Sequence, residues 1–138
     1  TGASMSTNKI DGVDLSPIIK GNMNASPRKN FLYYYRKNSL EAVRIDNWKL
    51  VFEHPSRSYV NQAPGKDGFP GKSPENVVMP MALYDLRRDP GEVYDVKEFN
   101  PQIMQELLKL AEDARKDLGD DLQNKVGTNN RMPGNSIK

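Results

Sequence analysis

The sequence predicts a small α+β domain: a four-stranded antiparallel sheet packed against one C-terminal amphipathic helix, with a long irregular loop. Three stretches carry that expectation. The run from Phe31 to Phe52, FLYYYRKNSLEAVRIDNWKLVF, is the only long one dense in aromatic and β-branched residues with turn chemistry inside it. ALYDLR, residues 82–87, alternates as a further strand would, and PQIMQELLKLAEDARKDL, residues 101–118, repeats apolar residues at steps of three and four.

In the first stretch, Asp46-Asn47 lies between two apolar runs, and both residues tolerate the left-handed backbone of a two-residue hairpin turn. Closing the turn there sets Ile45 opposite Trp48 and Val43 opposite Leu50 on one pleat face. Arg44 and Lys49 then share the other face. A second connection at Lys37, Asn38 and Ser39 sets Tyr33 opposite Val43 and Phe31 opposite Ile45. The resulting meander is expected to bury Phe31, Tyr33, Val43, Ile45, Trp48 and Leu50 together. Leu32, Tyr34, Leu40, Ala42 and Val51 fall on the opposite face, the expected docking surface if the chain is one part of a larger fold.

Length and composition bound the rest. A chain of 138 residues with 36% hydrophobic residues makes one domain with a modest core, and ten Pro with ten Gly imply much loop. With no Cys there are no disulfides or thiolate sites, and with one His a metal site built on nitrogen or sulfur is excluded by inventory. No apolar run reaches membrane-spanning length, and no signal-peptide pattern opens the chain. Its start on Thr1 rather than Met is what a fragment would show, with any targeting signal upstream. The formal charge of +2 is unevenly spread. Arg28 to Lys72 holds nine Lys/Arg against four Asp/Glu, which suits either an anionic partner or a plain solvated basic surface.

Taken in order, Thr1 to Lys9 reads as loop or linker, and Asp11-Gly12 as a turn. Ser16 as N-cap, Pro17 at the first helical position and Gly21 at the end describe one short helical turn. From His54 to Pro74, four prolines and three glycines leave no room for a regular element. Loops of that length are either mobile surface or functional, and His54, Arg57, Tyr59, Lys66, Asp67 and Lys72 are ligand-contacting types. After ALYDLR, Asp89-Pro90-Gly91-Glu92 fits a type II turn with positive φ at Gly91. Asn100 as N-cap, Pro101 at N1 and Gly119 as C-cap bound the helix. Its stripe of Ile103, Leu107, Leu110, Ala111, Ala114 and Leu118 covers the sheet. From Asp120 onward the chain is expected to be extended or disordered.

The inventory for catalysis is thin. His54, the only imidazole, is followed by Pro55 and sits in the loop, so nothing supports a triad. Glu112-Asp113 and Asp120-Asp121 lack a calcium-loop pattern and read as a solvated helix face and a helix end. Gly65, Gly68 and Gly71 do not run from a strand into a helix, so no phosphate loop is present. Aromatic and basic residues mix on the hairpin, but Phe31, Tyr33 and Trp48 are assigned to the core, which argues against a nucleic-acid platform.

The order KIDGVDLSPIIKG, NFLYYYRKNSLEAVRIDNWKLVF, long loop, ALYDLRRDPGEVYDV and a helix ending ARKDLGD resembles the C-terminal region of sulfatases of the arylsulfatase type. Leu83-Tyr84-Asp85-Leu86 with Asp89-Pro90-Gly91-Glu92 is its most specific part, followed by Asp11-Gly12-Val13-Asp14-Leu15 and Ala42-Val43-Arg44. The resemblance implies three parts: residues 1–30 as a linker and short helical turn leading out of a catalytic domain upstream, 31–119 as the subdomain, 120–138 as a flexible tail. It implies an upstream α/β catalytic domain of the same chain that hydrolyses sulfate esters of glycans or aryl groups, using formylglycine and calcium. A periplasmic or secreted location also follows from the resemblance. Glu53-His54-Pro55-Ser56-Arg57 imitates the Pro and Arg spacing of the formylglycine motif, but Glu53 cannot become an aldehyde. No cofactor, catalytic residue or metal ligand is therefore assigned to this segment, which is expected to be inactive alone. It is expected to complete the fold and line the substrate pocket through His54, Arg57, Arg36, Tyr59, Lys66 and Lys72. The competing expectation is an autonomous, non-catalytic module for anionic glycans. Neither reading involves nucleic acid or membrane.

Overall fold

The computed structural model describes residues 12–22 and 25–130. In chain order they form α1 (Ser16–Ile19), β1 (Asn30–Tyr35), β2 (Ser39–Ile45), β3 (Trp48–Val51), β4 (His54–Ser56), β5 (Val77–Met79), β6 (Ala82–Asp85), α2 (Pro101–Leu118), β7 (Gly119–Asp120) and β8 (Lys125–Val126). Strands β1-β2-β3-β6 make the expected four-stranded antiparallel sheet, while β4-β5 and β7-β8 are separate two-stranded pairs. No helix among the described residues is long and apolar enough to cross a membrane. Thr1 to Lys9, Asp11 of the expected Asp11-Gly12 turn and the tail beyond residue 130 lie outside the described residues.

The Asp46-Asn47 hairpin has the expected register, with Ile45 opposite Trp48, Val43 opposite Leu50 and Asp46 at φ 48°. The β1-β2 register does not. Arg36 takes the left-handed turn position at φ 54°, and Glu41 is an extra residue in β2, because Tyr33 pairs with Ala42 while Tyr34 pairs with Leu40. A one-residue bulge inverts side-chain phase. Leu40 and Val43 can therefore both face the helix, each 0% exposed, with Leu32 and Tyr34 packed beside them. Phe31 and Tyr33 are thrown onto the other face, correcting their assignment to the core; Phe31 is 46% exposed. Of the five residues expected on the docking face, Ala42 and Val51 lie there, and Leu32, Tyr34 and Leu40 are core instead.

Helix α2 lays Leu107, Ala111 and Ala114 on Leu40, Val43, Leu50, Phe52 and Leu83, with Ile103 and Leu110 at the margin. Pro101 opens it as expected, although the Asn100 amide donates back to the Val96 carbonyl at 2.8 Å rather than capping the helix. Gly119, at φ 86°, closes it. The last carbonyls of α2 are all taken. Gly119 N–H donates to Arg115, Thr128 and Asn129 N–H to Lys116 and Asp117, the Asn38 amide to Leu118 at 2.9 Å, and the Tyr34 hydroxyl to Gly119 at 2.8 Å.

Four local expectations are corrected. Helix α1 begins at Ser16 with Leu15 in the cap position, and Asp14 Oδ1 accepts the Ser16 N–H at 2.9 Å. The positive φ near Pro90 falls on Glu92 (56°) rather than Gly91, so the turn is not type II; Asp89 Oδ2 takes the N–H groups of both Val93 and Tyr94 at 2.8 Å. His54–Ser56 is a strand despite its proline, which a short edge pairing tolerates. The chain after Gly119 turns through a 3-10 segment, Asp121–Gln123, into β8, and Asp120 is 0% exposed instead of sitting at a solvated helix end. Its carboxylate accepts from Leu40 N–H, Leu122 N–H and Arg115 Nε, at 3.1, 2.9 and 2.9 Å.

Candidate polar cluster at the sheet end

Pairing of β4 with β5 carries the chain from Arg57 to Glu75 across one end of the sheet, beside the β1-β2 turn. Arg57 Nη2 is ion-paired with Glu75 there, and Arg36 Nη2 donates to the Pro55 carbonyl at 3.4 Å. Hydrogen bonding to Tyr59, then to Glu75, raises the Arg57 pKa, and the same bond to Arg57, then one to Ser73, holds the Tyr59 phenol below its ordinary value. The phenol, the guanidinium and the carboxylate thus form one polar group. Arg36, Arg57, Glu75 and Tyr35 share an open recess of about 830 Å³.

His54 points to the neighbouring side of that wall. Its Nδ1 lies 2.7 Å from the Phe52 carbonyl, which can only accept, so Nδ1 carries the proton; Nε2 is 3.4 Å from Glu41 Oε2. Glu41 lines both the recess and an adjacent cavity of about 540 Å³ that His54 enters. Of the six residues expected at the site, Arg36, Arg57 and Tyr59 are gathered, and His54 flanks them. Lys66 and Lys72 line neither recess and stand exposed on the loop. That loop is folded back on itself: a Cβ on Gly65 would sit 1.7 Å from the Phe69 carbonyl oxygen, and one on Gly71 2.2 Å from that of Ala63.

Sequence reasoning missed the two carboxylates, Glu41 and Glu75. Glu41 is the bulge residue, and only the bulge turns it toward His54. The one available signal for Glu75 was its position among the last polar residues before a short apolar run, Val77–Met79.

On the sheet face away from α2, Lys49 is clasped by both oxygens of Glu92 at 2.6 and 2.8 Å and lies 4.9 Å from the Tyr33 ring centre. Phe31 and Tyr33 meet at 4.8 Å between centroids with their rings tilted by 60°, and the Arg28 guanidinium lies 5.9 Å from the Phe31 ring.

An antiparallel β1-β2-β3-β6 sheet under one C-terminal helix is the architecture expected of a sulfatase C-terminal region. Residues 26–137 match the family described as the C-terminal region of aryl-sulfatase, and the chain belongs to that family. Arylsulfatase A of Bos taurus is 31% identical over 131 residues, covering 86% of this chain and 25% of that protein. N-acetylgalactosamine-6-sulfatase of Sus scrofa is 28% identical over 111 residues, covering 73% and 20%, and arylsulfatase A of Homo sapiens 29% over 117 residues, covering 79% and 23%. This chain therefore spans a quarter or less of the length of these relatives.

The residues here do not fit the calcium ion or the formylglycine that the resemblance implies. Among the described residues no group of three His, Cys, Asp or Glu side chains is placed to hold a metal ion. The chain has no Cys, and Glu53 occupies the position an aldehyde precursor would need.

Proposed function

We propose that this chain is the C-terminal subdomain of a sulfatase that hydrolyses sulfate esters of glycans or aryl groups. In this reading it completes the fold of an upstream α/β catalytic domain, which supplies formylglycine and calcium, and it forms one wall of the substrate pocket. The face bearing Phe31, Tyr33, Ala42, Val51 and Tyr84 docks on that domain, while the strand end stays open to substrate. The observation that supports the wall is the cluster itself: Arg36, Arg57 and Tyr59 converge beside His54 in a chain of this family. The Arg36 guanidinium and a neighbouring imidazole suit sulfate or carboxylate groups of a sugar through charge-assisted hydrogen bonds, while Arg57 is already paired with Glu75. Lys66 and Lys72 would add long-range attraction from the loop rather than contacts.

Two substitutions in the full-length protein test this. His54→Ala and Arg36→Ala each remove a bond of a type worth about 1.5–3 kcal/mol, so kcat/KM on a sulfated glycan falls by roughly ten- to a hundredfold. Wild-type kinetics in both variants would sink the pocket-wall reading. A full-length protein that retains a sulfated oligosaccharide but hydrolyses no sulfate ester would favour the autonomous glycan-binding module instead.

A further inference from the structure

The docking face carries a charge that its own fold leaves uncompensated. Pairing across the sheet sets Phe31, Arg44, Lys49 and Tyr84 in one transverse row. Arg44 and Lys49 are therefore like charges directly opposite each other, an arrangement that destabilises a strand pair. Lys49 is neutralised by Glu92. Arg44 is not: its Nε donates to the Asp46 carbonyl at 2.6 Å, and among the described residues no carboxylate pairs with it. The bond to Asp46 fixes the guanidinium, and among the described residues no carboxylate takes its two terminal nitrogens.

A second cation, Lys29, is held beside it. The Asp46 N–H donates to the Lys29 carbonyl at 3.1 Å, which ties the segment before β1 to the hairpin tip. Arg28 and Lys29 thereby line the same recess as Arg44, about 670 Å³ in volume, floored by Phe31 and Tyr33. Among the described residues Asp46 is the one acidic residue lining it, where it stands against both Arg44 and Lys29.

We propose that this recess takes an Asp or Glu side chain from the upstream part of the same protein, and that Arg44 is the electrostatic anchor of the subdomain on its catalytic domain. The inference rests on the docking proposed above. The recess is continuous with the half-buried face: Phe31 and Tyr33 line both it and the adjoining cavity that holds Ala42 and Val51. Any surface that covers the face covers the cations too, and a guanidinium buried without a counter-charge costs several kcal/mol. The covering segment must therefore bring an acid. A free anion would be shut out by the same contact.

Zero-length carbodiimide coupling of the full-length protein, followed by peptide mass spectrometry, tests this directly. The expected product is an amide between Lys29 and an Asp or Glu that precedes this chain. Arg44→Glu abolishes that cross-link and Arg44→Lys keeps it. Lys29 cross-links confined to residues of this chain would overturn the proposal. So would protection of Lys29 from amine acylation by a sulfated tetrasaccharide, which would make the recess a ligand site. If Arg44→Glu fails to fold, the wild-type cross-link still decides. Hydrolysis of an aryl sulfate by the same preparation separates the two ideas, since a protein without that activity refutes the sulfatase reading and leaves the cross-link to report on the anchor alone.

Discussion

Replacing Asp120 with alanine is the most demanding test of the packing. Asp120 is 0% exposed and Arg115 4% exposed, and the carboxylate accepts three hydrogen bonds, from Arg115 Nε and from the Leu40 and Leu122 N–H groups. Alanine leaves the guanidinium with only the half-exposed Glu112 carboxylate at 2.9 Å and the face of the Phe52 ring at 4.5 Å. It also leaves a buried N–H on Leu40 without an acceptor. Breaking a buried pair from one side costs about 3–5 kcal/mol. Asp120→Asn keeps an acceptor for the two backbone donors and loses mainly the charged bond to Arg115, about 1.5–3 kcal/mol. Urea unfolding followed by the fluorescence of Trp48, the single tryptophan of the chain, measures both. The midpoint should fall in that order with an unchanged slope. A loss under about 0.5 kcal/mol for alanine, the range of an ordinary surface substitution, would show that the network does not hold the tail to the sheet.

Two further outcomes follow from the same corner of the molecule. Burial, and after it the Asp120 charge, pushes the Tyr34 phenol up to about 12. Its folded pKa therefore exceeds the unfolded value of about 10, so its contribution is complete below about pH 10 and is lost as pH rises through about 12. Tyr34→Phe should flatten that alkaline loss; equal slopes of stability against pH in the two proteins would contradict it. Gly119→Ala meets both a left-handed φ of 86° and backbone atoms of the β8 segment, with Lys125 O at 2.8 Å and Gly127 N at 2.7 Å from the new Cβ. A loss of about 1–3 kcal/mol in thermal unfolding is expected from the backbone alone, and an unchanged midpoint would refute the capping geometry.

What was legible in the sequence was what short-range chemistry decides. Asp46-Asn47 fixed the β2-β3 register because the turn and the apolar alternation on both sides agree, and Pro101, Gly119 and the three-four stripe fixed α2 in the same way. The β1-β2 register was hidden because it depends on a bulge at Glu41, which pattern alone does not distinguish from regular alternation. That bulge lets Leu40 and Val43 both reach the helix, a tertiary demand. Asp120 was misplaced for a related reason: its partners are Arg115, around the helix end, and the Leu40 N–H, 80 residues away in sequence. The candidate site was partly legible. Arg36, Arg57 and Tyr59 were recognisable by type, but residue type cannot tell that Lys66 and Lys72 stand exposed on the loop and line neither recess.

The closure of α2 also sets an order of events for the nascent chain. Leu118, Gly119 and Asp120 are bound by Asn38, Tyr34 and Leu40, each some eighty residues earlier, and residues 128 and 129 return to cover the carbonyls of 116 and 117. Contacts this distant in sequence make folding slow, because the loop entropy comes before the gain. The hairpin emerges from the ribosome long before its fastening does. At elongation speeds of about 5–20 residues per second, the sheet waits several seconds with its apolar face bare, within reach of chaperones. A polypeptide halted at Leu118 would carry nearly all of the core residues and none of the latch.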